Sequence, residues 1–349
     1  MDIRKLDETQ LREAFTSVGE KPFRGNQVFE WLWKKSCRSF DEMSNLSNAN
    51  RDWLKEHYII PQLSVEDKQV SSDKTIKSSF RLHDGHLIEG VLIPTEKRMT
   101  ACISSQVGCS LTCLFCATGK LDRARNLDAS EIYDQVVTIR DQALHHYQKP
   151  LSNIVFMGMG EPLLNYANMM KGIDLITSPK GLNMAADRIT VSTAGIAKMI
   201  HKLGEEKVRF NLALSLHAAN DEKRNRIMPI NESNDLHSVM EAMHYFSEHA
   251  KGKITFEYIA FNGFNESPED ANELVKWCRK LPVKVNIIEY NPIGDAQFRK
   301  ATKDSLEQFK NILERAGITA TIRRSRGKDI DAACGQLANK KHKEAILNE

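Results

Sequence analysis

The chain has 349 residues, 41% hydrophobic and 27% charged, with a net charge of +3 and seven cysteines. These values describe a soluble globular protein with ample chain for one large domain or two ordinary ones. They exclude a bilayer span, which needs roughly 18 consecutive apolar residues. The start MDIRKLDETQ is no secretory signal, so the expected compartment is cytoplasmic and the cysteines read as reduced thiols, metal ligands or catalysts.

The first sixty residues read as helical. Asp7 or Thr9 caps a helix carrying Leu11, Phe15 and Val18 before Gly19 ends it. FRGNQVFEWLWKK sets Val28, Phe29, Leu32 and Trp33 at helical spacing, and Trp53 and Leu54 mark a third short helix. Three of the four tryptophans fall here, which favours a small packed module, while Arg24, Lys34, Lys35 and Arg38 form a candidate RNA-facing ridge. From about residue 62 the pattern alternates, and Asp84-Gly85 between two apolar runs predicts a hairpin.

Beyond residue 98 strand and helix patterns repeat. Strands are expected at 100–104, 153–158, 188–192, 208–216, 254–260, 284–289 and 319–324, and helices at 165–178, 234–249, 268–280 and 303–316. Such βα repetition makes the fold class α/β with a parallel sheet, open or closed into a barrel. Function is then expected at the C-terminal ends of the strands. The domain boundaries implied are a helical accessory, RNA-binding domain at 1–61, a β-hairpin connector at 62–98, a βα core at 99–300 and a C-terminal segment at 301–349.

Cys109, Cys113 and Cys116 form C-x3-C-x2-C in VGCSLTCLFCATG, after the first βα-type strand. Three thiolates on one short loop can reach three corners of an iron–sulfur cubane, and three ligands where four are usual leave a metal position open for a substrate. A structural zinc site would want a fourth Cys or His at matching spacing, and none follows.

With an aromatic before its last cysteine, this motif resembles the signature of the radical S-adenosylmethionine (SAM) superfamily. The resemblance implies a partial (β/α)6 barrel and a [4Fe–4S] cluster whose open iron binds SAM, cleaved on one-electron reduction to a 5′-deoxyadenosyl radical. A closer resemblance is to the bacterial dual-specificity RNA adenine-C2 methyltransferases, which act on 23S ribosomal RNA and on tRNA. It rests on CISSQVGCSLTCLFCATG (102–119), FMGMGEPLLN (156–165), STAG (192–195), LSLHA (214–218), MPIN (228–231), YNP (290–292) and DIDAACGQL (329–337).

That resemblance implies two SAM per turnover and a carrier thiol at Cys334, because adenine C2 is an amidine carbon that cannot attack a methyl sulfonium directly. Cys102 is implied as the thiol that resolves the protein–RNA crosslink, through a transient Cys102–Cys334 disulfide of the kind a reducing compartment tolerates. Glu89 is implied as the base for the C2 proton. Its strand neighbours Leu87, Val91 and Ile93 are apolar, and a carboxylate on such a face suits a general base; water-facing edge placement is the alternative. Each cysteine taken singly is more often an inert buried thiol, and Cys37 and Cys278, in helical patterns, are assigned no chemistry.

The implied SAM pocket takes Gly160 and Glu161 after the second strand, Ser192 after the third, Ser215, Leu216 and His217 after the fourth, and Asn291 after the sixth. Basic residues Arg323, Arg324, Arg326, Lys328, Lys340, Lys341 and Lys343 surround Cys334 in the chain and are candidate phosphate contacts. The family also implies a flavodoxin- or ferredoxin-type reductant; no membrane partner and a monomer are expected. The related adenine-C8 methyltransferase of antibiotic resistance shares the cluster and both catalytic cysteines; Pro162 and RRSRG favour C2.

Overall fold

The computed structural model describes residues 1–294 and 297–339; Lys340, Lys341 and Lys343 of the basic run lie outside them. Asp7 caps helix α1 (Glu8–Ser17), its side chain accepting from Gln10 N–H while Gln10 reaches back to the Asp7 N–H. Leu11 and Phe15 are buried, but Val18 is 47% exposed, because it follows the helix as its C-cap. Helix α2 (Phe23–Trp33) crosses α1 closely: a Cβ at Gly25 would stand 2.5 Å from the Arg12 nitrogen. Helix α3 (Asn48–His57) buries Leu54. Trp33 packs edge-on against Tyr133 with ring centroids 5.2 Å apart, and Arg4 pairs with Asp134 at 2.7 Å. Both contacts tie this module to the rest of the chain.

Strands β1 (Ser64–Val70), β2 (Ile76–Arg81), β3 (Leu87–Pro94) and β4 (Met99–Cys102) run antiparallel. The predicted hairpin is β2–β3, with Gly85 in the left-handed region at φ 86°. It is not a separate connector but a continuation of the main sheet, since β3 pairs with β4. A short ribbon of β5 (Gln106–Val107) and β6 (Arg125–Asn126) precedes α4 (Ala129–Tyr147).

The βα series then continues with β7 (Asn153–Phe156), α5 (Tyr166–Thr177), β8 (Ile189–Thr193), α6 (Ala197–Glu205), β9 (Asn211–Ser215), α7 (Asp221–Ile227), α8 (Leu236–His249), β10 (Ile254–Ala260), α9 (Pro268–Cys278), β11 (Val283–Glu289), α10 (Lys303–Arg315) and β12 (Ala320–Arg323). All seven predicted parallel strands are present. They form one ten-stranded sheet in the order β1-β2-β3-β4-β7-β8-β9-β10-β11-β12, parallel from β4 onward. No ladder joins β1 to β12 among the described residues, so the barrel is open. Ile154, Val191, Leu212 and Phe256 are fully buried on neighbouring strands, as expected where helices shield a parallel sheet. No described helix is long and apolar enough to cross a membrane.

Candidate active site

The chain leaves β4 through a loop whose shape depends on Gly108. Its φ is +75°, and a Cβ there would lie 2.1 Å from the Asp122 carbonyl oxygen, so only glycine fits. Cys109 N–H donates to Leu121 O at 3.2 Å, Cys116 N–H to Cys113 O at 3.2 Å, and Leu114 N–H to Ile227 O at 3.1 Å. The three cysteines of the motif are half-buried and line one shared cavity. Burial pushes the Cys109 thiol up to about 11 and the Cys113 thiol higher, with the neighbouring cysteines adding to both. Loading a metal group there must therefore release protons.

Among the described residues no three His, Cys, Asp or Glu side chains converge to hold a single metal ion. A cubane presents a separate iron to each thiolate, so its three donors need not converge on one point. Three soft donors on one loop, opening onto a large shared cavity, fit a [4Fe–4S] group with one iron left for a ligand.

Strand ends supply the opposite wall. Gly160 sits at φ +92°, where a Cβ would stand only 2.5 Å from the Gln106 side chain, and Gln106 accepts the Glu161 N–H at 2.8 Å. Glu161 accepts from Ala194 N–H at 2.8 Å and Leu163 N–H at 3.0 Å, yet burial still raises its carboxyl to about 7. Ser192 and Ser215 hydroxyls meet at 3.3 Å. His217 takes a left-handed φ of 56° and accepts the Ile259 N–H on Nδ1 at 3.1 Å, so its neutral ring carries hydrogen on Nε2. Burial lowers His217 to about 3.

Gly160, Glu161, Ser192, Ser215 and His217 all line the cavity. Leu216 and Asn291 do not: Leu216 uses its backbone to bridge Glu257 and Arg224, and Asn291 donates to the Cys334 carbonyl at 3.3 Å.

Cys334 lines the same cavity, on a loop fastened to the cluster loop. Ala117 N–H donates to Gly335 O and Thr118 Oγ1 to Leu337 O, both at 2.7 Å. Cys334 is exposed into this recess, whose surrounding protein pushes its thiol up. Cys102 ends β4, is buried, and couples electrostatically to Cys334; burial pushes its thiol far up, and Cys334 adds to that.

Glu89 and Cys102 are not on the cavity surface. The apolar face expected around Glu89 is corrected by the structure. Its carboxylate lies 3.6 Å from the Lys77 ammonium and accepts from Ala338 N–H at 2.8 Å and Asn339 N–H at 3.2 Å. Burial on both faces of β3 leaves room for this pair, because Lys77 sits on β2 diagonally across the ladder. Cys37 is also corrected: it lies in the loop after α2, while Cys278 ends α9.

Two contributors were missed by sequence reasoning. Glu257, on β10, lines the cavity at 4% exposure, 3.6 Å from Arg323 and bonded to Asn286 at 2.7 Å. A charged residue inside ITFEYIA was the available signal. The β1–β2 turn grips the Cys334 segment: Ser71 Oγ donates to Asp329 at 2.5 Å, Ser72 N–H to Asp329 at 2.9 Å, and Gly327 N–H to Asp73 at 3.0 Å. The basic run is partly spent, since Arg323 pairs with Glu257, Arg326 with Asp73 and Lys328 with Glu289.

Residues 1–60 match the "Ribosomal RNA large subunit methyltransferase N-terminal domain" family and residues 103–278 the "Radical SAM superfamily". A protein from Cytophaga hutchinsonii named "Probable dual-specificity RNA methyltransferase RlmN" is 60% identical over 98% of this chain and 93% of its own length. The chain belongs to the RlmN family of radical SAM proteins. A second RlmN-family relative, from Christiangramia forsetii, is 53% identical over 97% of this chain and 96% of its own. A crystallised radical SAM methyltransferase from Sphaerobacter thermophilus is 37% identical, covers 97% of this chain and 99% of its own, and superposes with a TM-score of 0.90. Membership of the RlmN family brings with it the [4Fe–4S] cluster and SAM that its superfamily uses.

Proposed function

We propose that this chain is a cytoplasmic, monomeric RNA methyltransferase that adds a methyl group to C2 of an adenosine in 23S ribosomal RNA and in tRNA, with electrons from a flavodoxin- or ferredoxin-type donor. The observation that carries this reading is the shared cavity. Cys334 opens onto the same space as Cys109, Cys113 and Cys116, with Cys102 coupled to it from β4.

In this reading Cys109, Cys113 and Cys116 hold the cluster, and Gly160, Glu161, Ser192, Ser215, Leu216, His217 and Asn291 form the SAM pocket. When bound, these groups supply the methyl carbon and the radical that activates it. Cys334 carries that carbon on sulfur and presents it to the adenine, which must be unstacked to enter the recess. Glu89 takes the C2 proton once the 338–339 backbone leaves its carboxylate. Cys102, as the thiolate, then attacks the Cys334 sulfur: the disulfide forms, the sulfur–carbon bond breaks with its electron pair passing to the exocyclic carbon, and that carbon takes up a proton to become the methyl group of the freed RNA. The thiol of Cys102 must lose its proton first, against the burial that pushes it up. Exposed Arg324, which pairs with no carboxylate among the described residues, and the other basic residues near Cys334 would meet phosphates.

The test is to incubate cluster-loaded protein with SAM, dithionite and an RNA substrate, digest the RNA, and compare the nucleosides with 2-methyl- and 8-methyladenosine by mass spectrometry. The expected product is 2-methyladenosine, with 5′-deoxyadenosine formed alongside. An 8-methyladenosine product would reassign the target carbon, and absence of any methylated nucleoside would refute the reading.

A further inference from the structure

Arg224 is a buried cation that neither the family comparison nor the mechanism above uses. Its side chain is 0% exposed on α7. Among the described residues no carboxylate lies within ion-pair distance of it. Its donors go to neutral acceptors: Nε to Leu216 O at 3.1 Å, Nη2 to Ala194 O at 2.5 Å and Ser215 O at 3.3 Å, and Nη1 to the Asn231 side-chain oxygen. Asp221 is reached only through one step, since Asn231 donates in turn to its carboxylate at 2.7 Å.

A buried charge without a direct counter-ion is expensive, so its place in the fold bears on what it serves. Ala194 and Ser215 line the cavity, which puts the guanidinium immediately behind that wall. One turn further along the same helix, Ile227 O accepts the Leu114 N–H at 3.1 Å, between the second and third cysteines of the motif. Gly195 makes room for it: a Cβ there would stand 3.3 Å from Nη2, at a φ of +103°. The last glycine of the STAG segment thus serves the arginine as well as the turn.

We propose that Arg224 is a positioning residue for electron transfer, a fixed cation behind the cysteine loop that favours the reduced, more negative state of the [4Fe–4S] cluster. The inference rests on the reading that Cys109, Cys113 and Cys116 hold that cluster. Reduction adds one electron from an external donor, breaks no bond and moves no proton on these residues. Cluster potentials respond to nearby charge, hydrogen bonds and solvent exposure. A unit charge roughly 10 Å away, through an effective dielectric of about 20, shifts a one-electron equilibrium on the order of tenfold, about 59 mV.

The experiment loads wild type, Arg224→Lys, Arg224→Gln and Asp221→Asn with cluster, assays iron and sulfide, and measures the midpoint by electron paramagnetic resonance during dithionite titration. Arg224→Gln is expected to be about tenfold harder to reduce, Arg224→Lys close to wild type, and Asp221→Asn easier to reduce because it removes the charge that offsets the arginine through Asn231. A purely structural arginine would lower stability in the Arg224 variants without separating the midpoints of Lys and Gln, and that result overturns the proposal. Should Arg224→Gln fail to fold or load, Asp221→Asn decides: an upward shift supports the proposal, an unchanged midpoint ends it. Wild type that takes up no iron would instead refute the cysteine assignment, visible in the iron assay before any titration, and this inference would fall with it.

Discussion

Replacing Glu161 by Gln should change how the stability of the cofactor-free protein depends on pH. Glu161 is 3% exposed, and burial raises its carboxyl from 4.5 to about 7 despite two backbone N–H donors. A raised carboxyl means that the folded chain holds its proton more tightly than the unfolded chain. The contribution to stability is therefore fully present below pH 4.5 and is lost as pH rises toward 7. Across that window the loss is about 3 kcal/mol, or roughly 4 °C in melting temperature for a protein of this size. The substituted glutamine side chain cannot titrate; it keeps one carbonyl oxygen for Ala194 N–H and leaves Leu163 N–H unpaired, a cost that does not vary with pH. Melting both proteins from pH 4 to 8 by circular dichroism isolates the effect, because all other titrations are shared. The wild-type advantage should shrink by about 3 kcal/mol as pH rises; a constant difference across the range would refute the reasoning.

Lys77→Met should cost about 3–5 kcal/mol in urea unfolding, because it strands the buried Glu89 carboxylate, whereas Lys77→Met with Glu89→Gln should recover much of that loss. Gly108→Ala should cut the iron taken up on reconstitution, since its Cβ collides with the Asp122 carbonyl; full iron content would show that the loop tolerates the strain. Burial lowers His217 to about 3, so the fold refuses a proton that the unfolded chain accepts at 6.5, and stability is lost as pH falls from 6.5 toward 3. His217→Gln should flatten that acid limb in thermal melts. Cys102→Ala should accumulate a protein–RNA crosslink through Cys334, seen as a shifted band on a denaturing gel; free turnover would remove Cys102 from the mechanism.

The βα series was legible because strands buried on both faces read as apolar runs, and the cysteine loop because its spacing is local. What could not be read depends on register and on long-range contact. Lys77 meets Glu89 only because β2 and β3 pair in one particular alignment, so the residue expected on an apolar face turned out to be half of an ion pair. The grip of Ser71 on Asp329 joins positions 258 residues apart, beyond the reach of any periodicity. Arg224 stands in the highly charged stretch DEKRNRI, and its burial is decided by the strand ends that surround it. That the Asn291 side chain donates to the Cys334 carbonyl is another such contact, 43 residues apart in the chain.

The two bonds from Ala117 and Thr118 to the Gly335 and Leu337 carbonyls fasten the segment just after Cys334 to the three-cysteine loop. The loop of Cys109, Cys113 and Cys116 and the loop of Cys334 are in effect a single stitched unit, even though more than two hundred residues separate them in the chain. Thermal wandering then moves both sulfur sets together, and their mutual spacing is held by one main-chain bond and one short threonine hydroxyl rather than by torsions of long side chains.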